Sequence, residues 1–393
     1  MQSRKPFNFL LPLLAECIFI GALSLKSCQA VARASLAPVI IGLCLYCIVF
    51  TTTGVSEIDY GVGGILMSRV FLVISLLLLL PKDTPILQND EIQQGLDPDS
   101  LPVRQRLLRS FSLLVNPRGI GWNCSMPSAV IPETRPIPRR SFILNELIRI
   151  PLLILVLDAK ETLQAVHPLL NVVARADDCS VLRLRDQPYP IRCVLIGMWA
   201  AAAYAVIMLQ WSVLSVLCVG SGLSKPKDWP TFFGPLKGCW TVRRFWGKTW
   251  HQLFRFTCVS HGRYVSRKLG FALVSSADIW TTLVVAFIVS AAIHSLGGDY
   301  MAASRATISY KFYLSQPIAV ALETLVSNAT SSWLPHVSLR KAIGYVWVVF
   351  WFSWSTVDML DGLMCQGMMR REMFPSFIFR PLLEHIWNGT NTV

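Results

Sequence analysis

The sequence predicts an all-α fold, a polytopic membrane bundle of about eight transmembrane helices. Three observations carry that expectation. Only 15% of the 393 residues are charged while 53% are apolar, against about a quarter charged in a soluble domain. The mean hydropathy is positive, at +0.50. Apolar runs close to the roughly 20 residues needed to cross a bilayer recur along the whole chain, and a helix is the simplest structure that satisfies its own backbone hydrogen bonds in lipid. This composition excludes a disordered chain and argues against a soluble enzyme.

In chain order the expected spans are 7–25, 36–53, 64–80, 143–160, 191–220, 272–296, 311–328 and 342–360. The first follows Arg4 and Lys5 and precedes an Ala-x-Ala at Ala30 to Ala32, the outline of a cleaved signal peptide. Glu16 interrupts its apolar region and further spans follow at once, so a retained signal anchor is expected. Two spans are weak: 143–160 holds Glu146 and Arg149, and 311–328 is short and contains Pro317. Either can lie in the interface or form a re-entrant piece.

Charge in the loops supplies orientation. Between Gly220 and Ala272 lie Lys225, Lys227, Lys237, Arg243, Arg244, Lys248, Arg255, Arg263, Arg267 and Lys268, opposed by Asp228 alone. Such a loop stays in the cytosol. The stretch around Asp177, Asp178 and Asp186 is slightly acidic and fits the lumenal side. The Pro-rich segment 81–142 then also falls in the cytosol, with one helix near Val103 to Val115 whose Arg104, Arg106 and Arg109 could reach lipid headgroups. The expected organisation is N-terminal transmembrane helices over 1–80, a cytosolic loop over 81–142, and a core over 143–393. Concentration of the +13 net charge in a few places makes a nucleic-acid partner a weak reading; the expected partner is the bilayer.

Eleven cysteines occur, but Cys17, Cys44, Cys47, Cys193 and Cys218 lie in or beside apolar runs, where cysteine serves as a small hydrophobe. No disulfide framework and no metal site are expected. Sequons at Asn123, Asn328 and Asn388 are assigned no glycan. His167, His261, His336 and His385 read as loop or surface histidines.

Chemistry concentrates in two places. The first is Trp229-Pro-Thr-Phe-Phe-Gly-Pro, followed by Thr241-Val-Arg-Arg-Phe-Trp-Gly-Lys-Thr-Trp-His-Gln-Leu-Phe-Arg255. As a helix, the second string would put Arg244, Lys248, His251 and Arg255 on one face and Trp246, Trp250 and Leu253 on another. That is either an interfacial amphipathic helix or a cationic face for a phosphorylated cytosolic substrate such as a coenzyme A thioester, with His251 and Gln252 near the reaction. The second place is His294, at the end of an apolar run with Ser290 and Ala291 one turn before it. An ionisable group at membrane depth usually faces a partner or a cavity. The imidazole is either structural or a base for an alcohol proton at neutral pH. Asp358 and Asp361 form D-x-x-D, which keeps a magnesium-dependent prenyltransferase or cyclase in view, but a second acidic cluster is missing. A transporter would need polar residues in several spans and internal symmetry, and neither is found.

Trp229-Pro-x-x-Phe-Gly, Arg244-Phe-Trp-Gly-Lys-Thr-Trp-His-Gln and Phe287-Ile-Val-Ser-Ala-Ala-Ile-His294 together resemble the wax-synthase-like branch of the membrane-bound O-acyltransferases. The chain is most similar to the fungal members that acetylate terpenoid and meroterpenoid natural products. Ala291 stands where the family usually has glycine in Ser-Gly-x-x-His. The resemblance implies an MBOAT-like fold with the catalytic motifs in 229–294, acyl-CoA as co-substrate with no bound cofactor, and residence in the endoplasmic reticulum membrane. It implies His294 as general base and Trp250, His251 and Gln252 around the thioester, with Arg244 and Lys248 meeting the phosphates of the coenzyme. The acceptor would be a lipophilic alcohol and the donor acetyl-CoA; a long-chain wax-ester synthase is the alternative within the family.

Overall fold

The computed structural model describes residues 4–80, 86–116, 118–123, 137–166, 170, 183–302, 307–330, 336–365, 368 and 376–382. Its longer helices are α1 (Leu10–Ser24), α2 (Ser27–Phe50) and α3 (Ser56–Leu79), α4 (Val103–Leu114), α5 (Arg139–Val166), α6 (Tyr189–Gly220), α7 (Arg255–Lys268), α8 (Ser276–Ala302), α9 (Tyr310–Thr330) and α10 (Val337–Cys365). Strand structure among the described residues is a two-residue parallel pair, Lys5–Pro6 with Thr51–Thr52, and one isolated bridge.

The expected count of eight spans is not reached. Among the described residues five helices, α2, α3, α6, α8 and α10, are long and apolar enough to cross a bilayer. The other three expected spans do form helices, and each falls short for a local reason. Helix α1 has 15 residues, about 22 Å at 1.5 Å per residue. Helix α5 has 28 residues but carries seven charged groups beyond its first turn or within it, Arg139, Arg140, Glu146, Arg149, Asp158, Lys160 and Glu161. Helix α9 is broken in its apolar run by Gln316 and Pro317. Many large apolar side chains on the spans are exposed, including Val39, Ile65, Leu78, Leu217, Ile288 and Val349. In water such a surface would aggregate; against hydrocarbon it is solvated. The chain is a helical membrane protein.

The chain divides into two compact units. The first comprises residues 1–129 and 252–326. Its core holds Phe19, Ile40, Ile48, Val73, Ile293 and Met301, each sealed from solvent. Helices α3 and α8 approach backbone to backbone, because Gly63, Gly297 and Gly298 leave no side chain between them. A Cβ on Gly63 would strike the Gly297 carbonyl, and one on Gly298 would lie 2.9 Å from the Tyr60 ring. Small residues permit such close helix approach in membranes, where packing rather than hydrophobic transfer drives association. Asp59 anchors the start of α3, accepting from the Thr52 hydroxyl at 2.5 Å and the Thr53 N–H at 2.7 Å. Helix α4 forms where a helix was expected. Arg109, however, is committed to Glu91 at 2.6 Å and to the Ile86 carbonyl at 3.1 Å, so it faces its own unit rather than headgroups.

The second unit comprises residues 130–251 and 327–393. Helices α5 and α6 run antiparallel, since Arg139 at the start of one donates to the Gly220 carbonyl at the end of the other at 2.6 Å. The buried Glu146 carboxylate is neutralised locally, by Arg149 at 2.6 Å and the Ser212 hydroxyl at 2.7 Å. This pairing removes much of the cost that made the span doubtful, because a buried charge is tolerated when paired and hydrogen-bonded. Asp361 accepts from the backbone N–H of Leu184 at 2.6 Å and Arg185 at 3.3 Å, and Asp358 pairs with the Arg185 guanidinium. The D-x-x-D carboxylates thus hold the 184–186 turn against α10. Eight described cysteines are free, whereas Cys365 is disulfide-bonded, which departs from the expectation for this residue. Asn388, His167 and His385 lie outside the described residues.

Candidate functional site

In the second unit the two aromatic motifs build one structure. Trp229 and Phe232 are buried against Trp211, with ring centroids at 4.4 and 4.0 Å. The Trp229 indole N–H donates to Ser224 at 2.7 Å. Gly234 then lies so close to the Lys248 carbonyl that a Cβ would overlap it, and its N–H donates to the Thr249 carbonyl at 3.0 Å. The glycine of the first motif is therefore required by the second.

That pairing corrects the expectation of one continuous helix over 241–255. Thr241 caps a short helical turn by accepting from the Arg244 N–H at 3.0 Å. Residues Phe245–Thr249 then widen into a π-helical turn, closed by the Trp250 N–H on the Phe245 carbonyl at 2.7 Å. Trp250 is extended, with φ −70° and ψ 160°, and helix α7 begins at Arg255. The Thr249 carbonyl, which a continuing helix would need, is given to Gly234. A face counted at 3.6 residues per turn does not extend across this break.

What the turn assembles in its own unit is an aromatic box. Phe245 stacks on Trp250 at 5.5 Å and 20°, Phe233 meets Trp250 edge-on at 5.3 Å, and His251 lies 5.6 Å from Trp250 and 5.9 Å from Phe233. Arg244 lies over the Trp240 ring at 3.8 Å, with its Nε donating to the Gly238 carbonyl at 2.8 Å. Lys248 is exposed.

Burial pushes the His251 pKa from its ordinary 6.5 down to about 4, so the ring is neutral at physiological pH. Between pH 6.5 and 4 the unfolded chain takes up a proton that the folded ring refuses. Stability contributed by this group is therefore present above pH 6.5 and lost as pH falls toward 4. The measurement is the melting temperature in detergent across that window. His251→Phe is expected to fall less steeply than the wild type, and an equal slope would contradict burial of the imidazole.

The first unit holds His294 and Gln252. Gln252 is buried and its Oε1 accepts from Arg255 at 2.7 Å. His294 is half-buried in a second π-helical turn, Ile293–Asp299. Turns of this kind interrupt α-helices frequently at functional sites. The imidazole stacks on Tyr313 at 4.4 Å and 9° and meets Phe254 edge-on at 6.0 Å. Its Nδ1 lies 3.1 Å from the Tyr60 hydroxyl. Asp299, at the end of the same turn, accepts from the Ile308 N–H at 2.7 Å, the Ser309 N–H at 2.5 Å and the Ser309 hydroxyl at 2.8 Å. One further histidine departs from expectation. His261 lies on α7, half-buried, with Nδ1 at 2.8 Å from the Thr257 carbonyl and 3.3 Å from Ser75, because residues Arg255–Lys268 are helical rather than loop.

Residues 229–315, which carry all these motifs, match the Membrane bound O-acyl transferase family. The acetyltransferase eriL of Hericium erinaceus is 27% identical over 379 residues, covering 94% of each chain. The acetyltransferase ple2 of Rhodocybe pseudopiperita is 27% identical over 363 residues, covering 91% of each. The chain is a membrane O-acyltransferase whose 229–315 segment is similar to the membrane-bound O-acyltransferases. A further relative, the O-Mevalon transferase yanI of Aspergillus niger, is 26% identical over 288 residues, covering 66% of this chain and 63% of its own.

This O-acyltransferase therefore contains two sequence-flagged groups, each with surroundings that the sequence did not flag. Trp250, His251, Arg244 and Lys248 come together in one unit, and His294 and Gln252 belong to the other. Tyr60, Phe254, Ser309, Tyr313 and Asp299 were missed around His294. Tyr60 lies 234 positions before the histidine, a separation no local pattern bridges. The signal that was available is the pair of adjacent glycines on each of two apolar spans, Gly63-Gly64 and Gly297-Gly298, which marks helices that touch.

Proposed function

We propose that this O-acyltransferase transfers an acetyl group from acetyl-CoA to a hydroxyl of a lipophilic terpenoid or meroterpenoid intermediate of secondary metabolism. The observation that carries the reading is His294, a histidine near the end of a membrane span, with one ring nitrogen engaged by Tyr60 and its ring face stacked on Tyr313. The names of the eriL and ple2 relatives favour acetyl over other acyl groups.

In this mechanism His294 takes the hydroxyl proton as the alcohol oxygen attacks the thioester carbonyl. The C–O bond forms, electron density moves onto the carbonyl oxygen, and collapse of that oxyanion breaks the C–S bond. The proton on His294 then goes to the departing thiolate. Gln252 is the oxyanion donor we assign within the unit that carries His294; His251, neutral at physiological pH, is the other donor among the motif residues. Arg244 and Lys248 are assigned to the coenzyme phosphates and Trp250 to the thioester arm. A bilayer setting delivers the apolar alcohol and excludes water, which favours ester over hydrolysis.

We place the protein as a multi-pass component of the endoplasmic reticulum membrane, with the basic 221–275 loop in the cytosol. The Cys365 disulfide supports a lumenal location for the end of α10, since disulfides persist in oxidising compartments. Aspartates 358 and 361 tether the 184–186 turn to that same end. An acidic lumenal loop and a cytosolic 81–142 segment require α5 to cross between them, and the internal pairing of Glu146 supports this.

The test is expression of the full chain in a host without the activity, with candidate alcohols supplied and products resolved by mass. One acetyl in place of one hydrogen is expected. The O-Mevalon transferase relative favours a second reading with a larger acyl group, and a heavier ester would select it. Absence of any ester across alcohols and acyl-CoA donors would reject the proposal.

A further inference from the structure

We infer that Lys341 joins Arg244 on the indole ring of Trp240 to hold the ribose phosphate monoester of coenzyme A. The inference rests on the reading of the donor as an acyl-CoA and adds a residue that no motif marks. Arg244 lies over the Trp240 ring at 3.8 Å, and the Lys341 ammonium lies over the same ring at 4.8 Å. Lys341 belongs to α10, outside the 229–315 match, yet all three residues fall in the second unit.

Backbone contacts build the pair. Residues three and four apart are neighbours on a helix, so Lys341, Gly344 and Tyr345 share one face of α10. A Cβ on Gly344 would overlap the Trp240 carbonyl, so this glycine lets the helix close on Trp240. The Tyr345 hydroxyl donates to the Lys237 carbonyl at 2.6 Å and fastens the same loop. Lys341, one turn nearer the start of α10, is thereby held beside the indole. Arg244 is fixed from the loop side, its Nε donating to the Gly238 carbonyl at 2.8 Å. Among the described residues no carboxylate pairs with either cation.

Two cations drawn to one ring attract the ring and repel each other. An anion bound by both removes that repulsion. A phosphate monoester carries about −1.5 to −2 charges near pH 7, which matches two cations, whereas each group of a pyrophosphate linkage carries a single charge. The guanidinium offers its terminal nitrogens as a planar fork to two oxygens, and the ammonium is a point charge for a third. Arg244 is half-buried and Lys341 exposed, so the clamp is open to a water-borne ligand. Lys341 is at the end of α10 opposite Cys365, on the side of the basic loop and of the coenzyme.

The experiment has a binding arm and a kinetic arm, both on the full chain. In detergent, calorimetry compares adenosine 3′,5′-bisphosphate with adenosine 5′-monophosphate, which lacks the monoester in question. The wild type is expected to prefer the bisphosphate. Lys341→Gln is expected to weaken bisphosphate binding roughly 3- to 10-fold, as for a partly exposed charge-assisted contact, and to leave monophosphate binding unchanged. Lys341→Arg, which keeps the charge, is expected to bind like the wild type. The loss in Arg244→Gln/Lys341→Gln is expected to be smaller than the product of the single losses, because both cations meet one phosphate. In microsomes, Lys341→Gln is expected to raise KM for acetyl-CoA by a similar factor, with kcat, KM for the alcohol and KM for acetyl-3′-dephospho-CoA unchanged. No loss of bisphosphate binding in Lys341→Gln, an equal loss for both nucleotides, or a loss that arginine does not rescue would overturn the clamp. The binding arm needs no turnover. Ester formation without nucleotide discrimination would reject the clamp and keep the acyl transfer, and discrimination without any ester would do the reverse.

Discussion

Replacing His294 by alanine is expected to lower ester formation by about 10²–10⁴-fold, the usual contribution of a positioned general base, with membrane insertion and abundance unchanged. The expected harmlessness to the fold follows from the surroundings of the ring. His294 is half-buried and its contacts include the Tyr60 hydroxyl and the rings of Tyr60, Phe254 and Tyr313; fully sealed positions of the turn are Ile293 and Asp299. Truncation therefore opens space beside Tyr313 without stranding a charge. The loss is expected in kcat, since the histidine acts on a proton in flight rather than on coenzyme binding, and an unchanged KM for acyl-CoA separates this role from that of a ligand-holding residue. His294→Gln, which keeps a polar side chain without a basic nitrogen, is expected to be equally inactive. Assay of microsomes with labelled donor and a competent alcohol checks both variants, and turnover near the wild-type rate in either would eliminate His294 as the base.

The sequence exposes the parts of this protein that depend on local pattern and conceals those that depend on meeting. Apolar runs announce α2, α3, α6, α8 and α10 because lipid imposes the same requirement at every residue of a span. Helix α5 is ambiguous because Glu146 reads as a charge in lipid; only its pairing with Arg149 and with Ser212 on another helix neutralises it. The 241–255 segment fails for a related reason. Its residues fit a helical period, but the Gly234 N–H, offered from seven residues before Thr241, claims the Thr249 carbonyl and ends the turn. Similarly, D-x-x-D carries the signature of a cation site until Leu184 and Arg185, far away in the chain, take up its oxygens. Around His294 the motif reveals the histidine but not its partners, since Tyr60 and Tyr313 come from other segments and are ordinary residues in their own surroundings.

Gly297→Ala is expected to be among the most damaging single-methyl changes in the apolar part of the chain, and the reason is a contact between backbones. An added Cβ would lie 2.5 Å from the Gly63 carbonyl oxygen and 2.6 Å from the Met67 Cβ. Neither neighbour is the far end of a flexible side chain, so α3 and the π-helical turn must separate. Overpacking of this kind costs about 1–3 kcal/mol, visible as a lower melting temperature in detergent. The functional effect is expected to be larger than the structural one. Tyr60 sits on α3 one turn before Gly63 and Gly64, and its alignment with Nδ1 is set by the distance between the two elements. A displacement of about 1 Å can cost on the order of 100-fold in rate. Gly298→Ala acts more directly, since its Cβ would meet the Tyr60 ring at 2.9 and 3.0 Å. Controls come from α3: Gly61 and Gly64 have nothing within 4 Å of an added Cβ. Alanine at either is expected to leave activity intact and to add up to about 1 kcal/mol through helix propensity. Four glycines within one apolar helix pair thus divide into two classes by what lies opposite them. Full activity in Gly297→Ala and Gly298→Ala, or loss in Gly61→Ala and Gly64→Ala, would show that the close approach of α3 and α8 does not hold the tyrosine on the histidine.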